Sequence, residues 1–216
     1  MKAISCEKQS IAWFKLAECV ERGEKERALN LFRLLTHSLS DQAFKKQLEA
    51  DIVASFDKNQ ALVMYTYAAH LYDKYGKTEQ AALLYEYMIM LEPRREFLEK
   101  AFLLAQELHH QTKKNMYARL LCYAYAQSGD IDQAKYYLDS IYDHITAQEK
   151  IELISCWIFQ ALTHTYDKQE IIESLLYALL DLLVQFSTDK ELQLFYARLQ
   201  ILNTWWFARA LEYTKR

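Results

Sequence analysis

A chain of 216 residues with 52% apolar and 25% charged side chains has the composition of a folded protein, able to bury roughly 70% of its unfolded surface. Its formal charge of −3 supplies no general field for nucleic acid, and the basic doublets Lys45-Lys46, Arg94-Arg95 and Lys113-Lys114 stand among acids, as solvated helix ends do. Three glycines and one proline are too few for the turns of a β-rich fold, so the composition predicts an all-α protein.

Four apolar patterns follow in chain order. The first unit, residues 8–57, places Trp13, Leu16, Ala17 and Val20 before Gly23, then Ala28, Phe32 and Leu35, then Phe44, Leu48, Ile52 and Phe56 at i+4 spacing. The second, residues 60–111, runs through Tyr65, Ala68, Ala69 and Tyr72 to Gly76, then Ala81, Tyr85 and Met88, then Phe97, Ala101, Leu104, Ala105 and Leu108. The third, residues 114–165, repeats this with Leu121, Cys122, Tyr125, Gly129, Ala134, Leu138 and Ile141, then Ile151, Ile154, Trp157, Ile158 and Ala161. A two-helix cap completes one predicted domain over residues 1–216, with helices at 168–186 and 189–213. Asp167, Thr188-x-x-Glu191 and Thr146-x-x-Glu149 mark helix starts. In total the patterns predict ten or eleven antiparallel helices and no sheet. The most apolar run, Leu175 to Phe186, contains Asp181 and Gln185 and is too short to cross a bilayer, so it reads as a buried helix.

The glycines lie at 23, 76 and 129, 53 residues apart each time. Five residues after each stands an alanine (Ala28, Ala81, Ala134), and three after each stands an acid (Glu26, Glu79, Asp132). The alanine predicts a close helix crossing where a larger side chain would push the axes apart. The glycine predicts a left-handed turn that closes the preceding helix. Each 53-residue unit then holds a helix pair and one extra helix.

At these residues the chain resembles the tetratricopeptide repeat family. Residues 62–95 carry the 34-residue pattern through Tyr65, Ala68-Ala69, Tyr72, Gly76, Ala81, Tyr85 and Pro93, and residues 115–148 carry it with Thr146 in place of the proline. The resemblance implies a short α-α solenoid that binds a protein segment along the first helix of each pair. It thereby points to Val63, Thr66, Tyr67, His70 and Lys74, then to Met116, Arg119, Tyr123 and Gln127. Members that clamp chaperone tails use Lys and Asn at positions held here by Thr66, His70, Arg119 and Tyr123, so that ligand is not expected. A cytoplasmic adaptor or scaffold is the leading expectation. A chaperone for secreted proteins is the alternative, and an enzyme or nucleic-acid binder on a helical scaffold the outsider.

Catalytic chemistry finds no foothold in the sequence. All three glycines are used at helix turns, leaving no phosphate-cradling loop. Adjacent His109-His110 would point in different directions from a helix, and His70, His144 and His164 stand alone. Asp130 reads as a helix cap and not as a cation ligand. No cofactor, metal or membrane partner is expected. Cys6, Cys19, Cys122 and Cys156 lack any paired spacing, which fits reduced thiols in a cytosolic protein; at the N-terminus only Ala3-Ile4 precede polar residues where a signal peptide needs an apolar segment. Of the 16 tyrosines, Tyr67, Tyr123, Tyr136 and Tyr137 divide between core and recognition surface. Trp205-Trp206-Phe207 spans about 200° of a helix, so these rings either lie in a sandwiched helix or leave an exposed patch for a partner or a second copy.

Overall fold

A computed structural model describes residues 2–37, 39–162 and 169–215, with side chains from residue 11 onward. Asp167, His164 and the Cys6 side chain therefore lie outside the described residues. The chain is all-α. Its helices are α1 (Lys2–Glu21), α2 (Lys25–Leu35), α3 (Gln42–Ala54), α4 (Lys58–Lys74), α5 (Thr78–Leu91) and α6 (Arg95–Glu107), then α7 (Gln111–Ser128), α8 (Ile131–Asp139), α9 (Ala147–Leu162), α10 (Gln169–Phe186), α11 (Asp189–Leu202) and α12 (Thr204–Thr214). A 3-10 turn spans Tyr142–His144, and no strand occurs among the described residues. Helices α2, α5 and α8 start at residues 25, 78 and 131, in step with the 53-residue sequence period.

The helix expected at 189–213 is two helices. Asn203 is extended (φ −159°, ψ 108°) and its side chain accepts from the Trp205 and Trp206 amides, capping α12 and ending α11. Among the described residues this brings the count to twelve, above the ten or eleven expected.

The glycine turns share one geometry, seen clearly at Gly76. Its φ of 69° is left-handed, the Gly76 amide donates to the Asp73 carbonyl, and the Lys77 amide reaches back to the Tyr72 carbonyl. This is the Schellman closure of α4, and it satisfies carbonyls the helix end would otherwise strand. An added Cβ would meet nothing within 4 Å, so glycine is needed for its backbone and not for space. Gly23 and Gly129 repeat the pattern, the Glu24 and Asp130 amides reaching back to the Cys19 and Tyr125 carbonyls.

The contacts gather into two compact units, residues 1–108 and 109–216. In the first unit each helix packs on its neighbours in sequence. Ala28 and Ala81 are fully buried, as the close crossings require. Helix α3 is a two-faced element. Leu48, Ile52 and Phe56 pack partly buried against Leu16, Cys19, Ala28 and Phe32, whereas Ala43, Ala50 and Val53 face burial in the extensive α3–α4 packing. Phe44, expected in the core stripe, is 41% exposed. Two polar links fix the α3–α4 register: Tyr65 donates to Asp51 at 2.7 Å and Tyr72 to Gln47 at 2.8 Å.

The second unit departs from that plan. Its extra helix α9 packs on α7 as well as on α10, and α8 is only nine residues long before the 3-10 turn. Ile151, Ile154, Trp157, Ile158 and Ala161 are all buried, as is Ala134. Helix α10, the most apolar run, buries Ile172, Leu175, Leu176, Leu179, Leu180 and Leu183. Among the described residues no helix is long and apolar enough to cross a membrane.

Candidate protein-binding groove

In the first unit, α4 and α6 both pack along α5 without packing along each other. Two parallel helices raised on either side of a third leave a channel over it. Two adjoining clefts occupy this channel. The first, 410 Å³, is lined by Leu62, Val63, Thr66 and His70 of α4, by Tyr85 of α5, and by Arg94, Glu96, Phe97, Glu99 and Lys100 of the α6 segment. The second, 210 Å³, continues past Ala69, His70 and Asp73 on one side and Lys100, Leu103 and Glu107 on the other. His70, Tyr85 and Lys100 line both, so the clefts form one groove.

Its floor is apolar and its rims carry charge. Leu62, Ala69, Tyr85, Phe97 and Leu104 are buried, whereas Val63 is 69% and Leu103 52% exposed. Thr66 donates to the Leu62 carbonyl at 2.9 Å, the intrahelical bond that keeps a hydroxyl quiet on a helix face. Burial raises the pKa of the Tyr85 phenol, with Asp73 and Glu96 adding to the effect. Arg94 is engaged with Glu92 at 2.7 Å and with Asn59 at 3.3 Å.

The expected partner-binding residues divide sharply. Thr66 and His70 line the groove, while Tyr67 and Lys74 are exposed but lie outside its lining. Their counterparts one period later, Arg119 and Tyr123, belong to the second unit and are occupied within it. Arg119 pairs with Glu149, and it is tied there to the start of α9, because Glu149 also caps the Thr146 amide at 2.8 Å. That backbone bond, with Arg119 second, holds the Glu149 carboxyl below the usual range. Tyr123 is half-buried, and burial raises its phenol. The direct α7–α9 packing thus closes in the second unit the channel that α4 and α6 leave open in the first. Arg119 and Tyr123 were expected on a face the fold does not use; they are part of the α7–α9 seam. Gln127 is exposed near the end of α7.

Sequence reasoning missed the opposing wall of the groove. Lys100, Leu103 and Glu107 lie on α6, the extra helix, which the repeat pattern treats only as packing. The signal was present, since Lys100, Leu103 and Glu107 recur at i, i+3, i+7 on a face away from Ala101, Ala105 and Leu104.

At the C-terminus the three rings separate. Trp206 is buried, Phe207 is half-buried against Tyr196 with centroids 6.2 Å apart, and Trp205 is 47% exposed under the Arg209 guanidinium at 5.2 Å. Tyr137 is buried and stacks on Tyr125 at 5.6 Å, while Tyr136 stays exposed. His109 sits in the turn after α6 with a left-handed φ of 54°, so the His109-His110 pair is not helical. Among the described residues no three His, Cys, Asp or Glu side chains converge as metal ligands do. Cys122 is buried beside Cys156, and desolvation pushes its thiol up to about 12. No family model matches the chain, and neither a curated protein nor a solved structure matches it.

Proposed function

We propose that this chain is a tetratricopeptide-like helical-repeat protein of the cytosol that works as an adaptor, binding a segment of another protein in the α4–α5–α6 groove. The observation that carries the reading is the open channel over α5, with its apolar floor and the exposed Val63 and Leu103 on opposite rims. Apolar side chains clustered in a concave channel and rimmed by charge mark a surface for recognition. The 53-residue recurrence of the Schellman turn and the buried alanine supports the repeat assignment. Free thiols at Cys19, Cys122 and Cys156 support a reducing compartment.

Groove and C-terminus make different predictions. Partners captured from the native cell by the unaltered chain are titrated against a Val63→Glu/Leu103→Glu variant and a Trp205→Ala variant. The groove variant is expected to weaken binding at least about a hundredfold, roughly 2.7 kcal/mol, with an unchanged circular dichroism spectrum, because both side chains face solvent. Full binding by the groove variant, with loss in Trp205→Ala, would move the site to the exposed ring on α12.

A further inference from the structure

The groove has a direction and a hydrogen-bonding character, and together they specify what lies in it. From Leu62 to Asp73 the lined stretch of α4 holds twelve residues, and its ends lie about 16 Å apart at about 1.5 Å per residue step. Helices α4 and α6 run parallel, each antiparallel to α5 between them, so both present their C-terminal ends at the same end of the groove. There Asp73 and Glu107 stand on the two rims, and the carbonyl ends of both helices add partial negative charge. Among the described residues Glu107 accepts only a long 3.4 Å bond from Thr78, and both carboxylates are exposed. At the opposite end Arg94 is already matched by Glu92 and Glu96. Between them Lys100 forms no ion pair among the described residues and lies where the two clefts meet.

On the buried floor Tyr85 is the one residue with a side-chain hydroxyl to offer, since the Thr66 hydroxyl is already committed to the Leu62 carbonyl; the polar side chains His70, Asp73, Glu96, Lys100 and Glu107 are exposed at the rims. An extended segment pressed onto this floor would bury more amide and carbonyl groups than the single Tyr85 hydroxyl can pair, at a cost comparable to a lost hydrogen bond for each group left over. A helix satisfies its own backbone and needs only an apolar face.

Resting on the groove reading above, we infer that the occupant is an amphipathic helix of about three turns, antiparallel to α4 and α6, with a Lys or Arg near its N-terminal end facing Asp73 and Glu107 and an acid about two turns later facing Lys100. The antiparallel sense sets the positive end of the ligand's dipole against the acidic end of the groove. The seven-residue separation of Lys100 and Glu107 on α6 sets the two-turn spacing between the ligand's charges. This is the helix-in-groove mode, read through apolar anchors at i, i+3 or i+4, and i+7.

A library of random 16-residue peptides displayed on phage, panned against the full chain, tests the inference. Selected peptides are synthesised and titrated by fluorescence anisotropy against the parent, Val63→Glu/Leu103→Glu and Asp73→Lys/Glu107→Lys chains, each first checked for an unchanged circular dichroism spectrum. Peptides that lose binding to the Val63→Glu/Leu103→Glu chain are expected to carry the apolar spacing with a basic residue near the N-terminus. A central proline should weaken them at least about tenfold, and Asp73→Lys/Glu107→Lys should do the same. Groove-dependent peptides that tolerate the proline, or whose basic residue lies near the C-terminus, overturn the helix or its direction and leave the groove reading standing. Peptides indifferent to Val63→Glu/Leu103→Glu, or no selected peptides at all, overturn both.

Discussion

Replacing Ala81 with leucine tests the central packing statement, because the sign of the effect is itself informative. Ala81 is fully buried in α5, the helix that packs on both α4 and α6. Leucine adds three carbons, and burying them without strain would stabilise the fold by about 2.4 kcal/mol at about 0.8 kcal/mol each. Intrinsic helix preference hardly changes, since leucine ranks close behind alanine. A site packed to crystal density has no room for the added carbons, so neighbours must move or the side chain must leave its rotamer. Overpacking of this kind costs a net of about 1–3 kcal/mol, which means strain of about 3–5 kcal/mol against the transfer gain. With an m-value of about 2 kcal/mol/M, the urea midpoint read by far-ultraviolet circular dichroism should fall by about 0.5–1.5 M. Leu83→Ala, on the exposed side of the same helix, should stay within about 0.5 kcal/mol of the parent. An unchanged or raised midpoint for Ala81→Leu would mean slack at this position, and the close-crossing account of the repeated alanine would be wrong.

Gly76→Ala should cost about 1–2 kcal/mol in urea unfolding through backbone strain alone, because its left-handed φ disfavours a Cβ while the surrounding space is open; a neutral substitution would remove the conformational reason for the glycine period. Asp41, held down mainly by its bond from Lys77, and Glu149 and Glu191, held down mainly by capping amides, have folded pKa values below their unfolded ones. Their contribution is therefore present above the ordinary carboxylate range and lost as pH falls through the lowered values, so the urea midpoint should drop between about pH 5 and 3. Asp51 runs the other way: burial raises its carboxyl, its ionised form costs stability at neutral pH, and Asp51→Asn, which keeps an acceptor for Tyr65, should be neutral or stabilising at pH 7 while a clear loss there would show that the ionised carboxylate is needed. Trp206→Ala should destabilise by about 3–5 kcal/mol and Trp205→Ala by much less, following their burial; equal losses by thermal melting would contradict the split between the two rings.

Local chemistry was legible in the sequence, and it is local for a physical reason. A Schellman turn involves only the residues from Tyr72 to Lys77, and the capping box at Thr188 closes with Glu191 three residues on, so neither depends on what packs nearby. Helical periodicity likewise predicted the buried stripes of α6 and α9, because a stripe repeats along one helix. The buried alanines followed from the same period, since each paired helix meets its partner at the same offset from its glycine. The Asn203 cap was also local and was overlooked because the apolar pattern runs through it without a break.

What only the tertiary structure decided is which helix lies beside which. The same 53-residue pattern leaves a channel between α4 and α6 and closes one between α7 and α9. Nothing near Thr66 or Arg119 in sequence distinguishes the two outcomes. The difference rests on Glu149, thirty residues beyond Arg119, on the shortened α8, and on the 3-10 turn that redirects the chain into α9. In the same way α3 turns Ala43, Ala50 and Val53 toward α4 and its larger apolar residues toward α1 and α2, a choice between two faces that periodicity leaves open. A side chain's role as wall, floor or ion-pair partner is set by the packing of distant segments, and that packing is a property of the whole chain's burial rather than of any window along it.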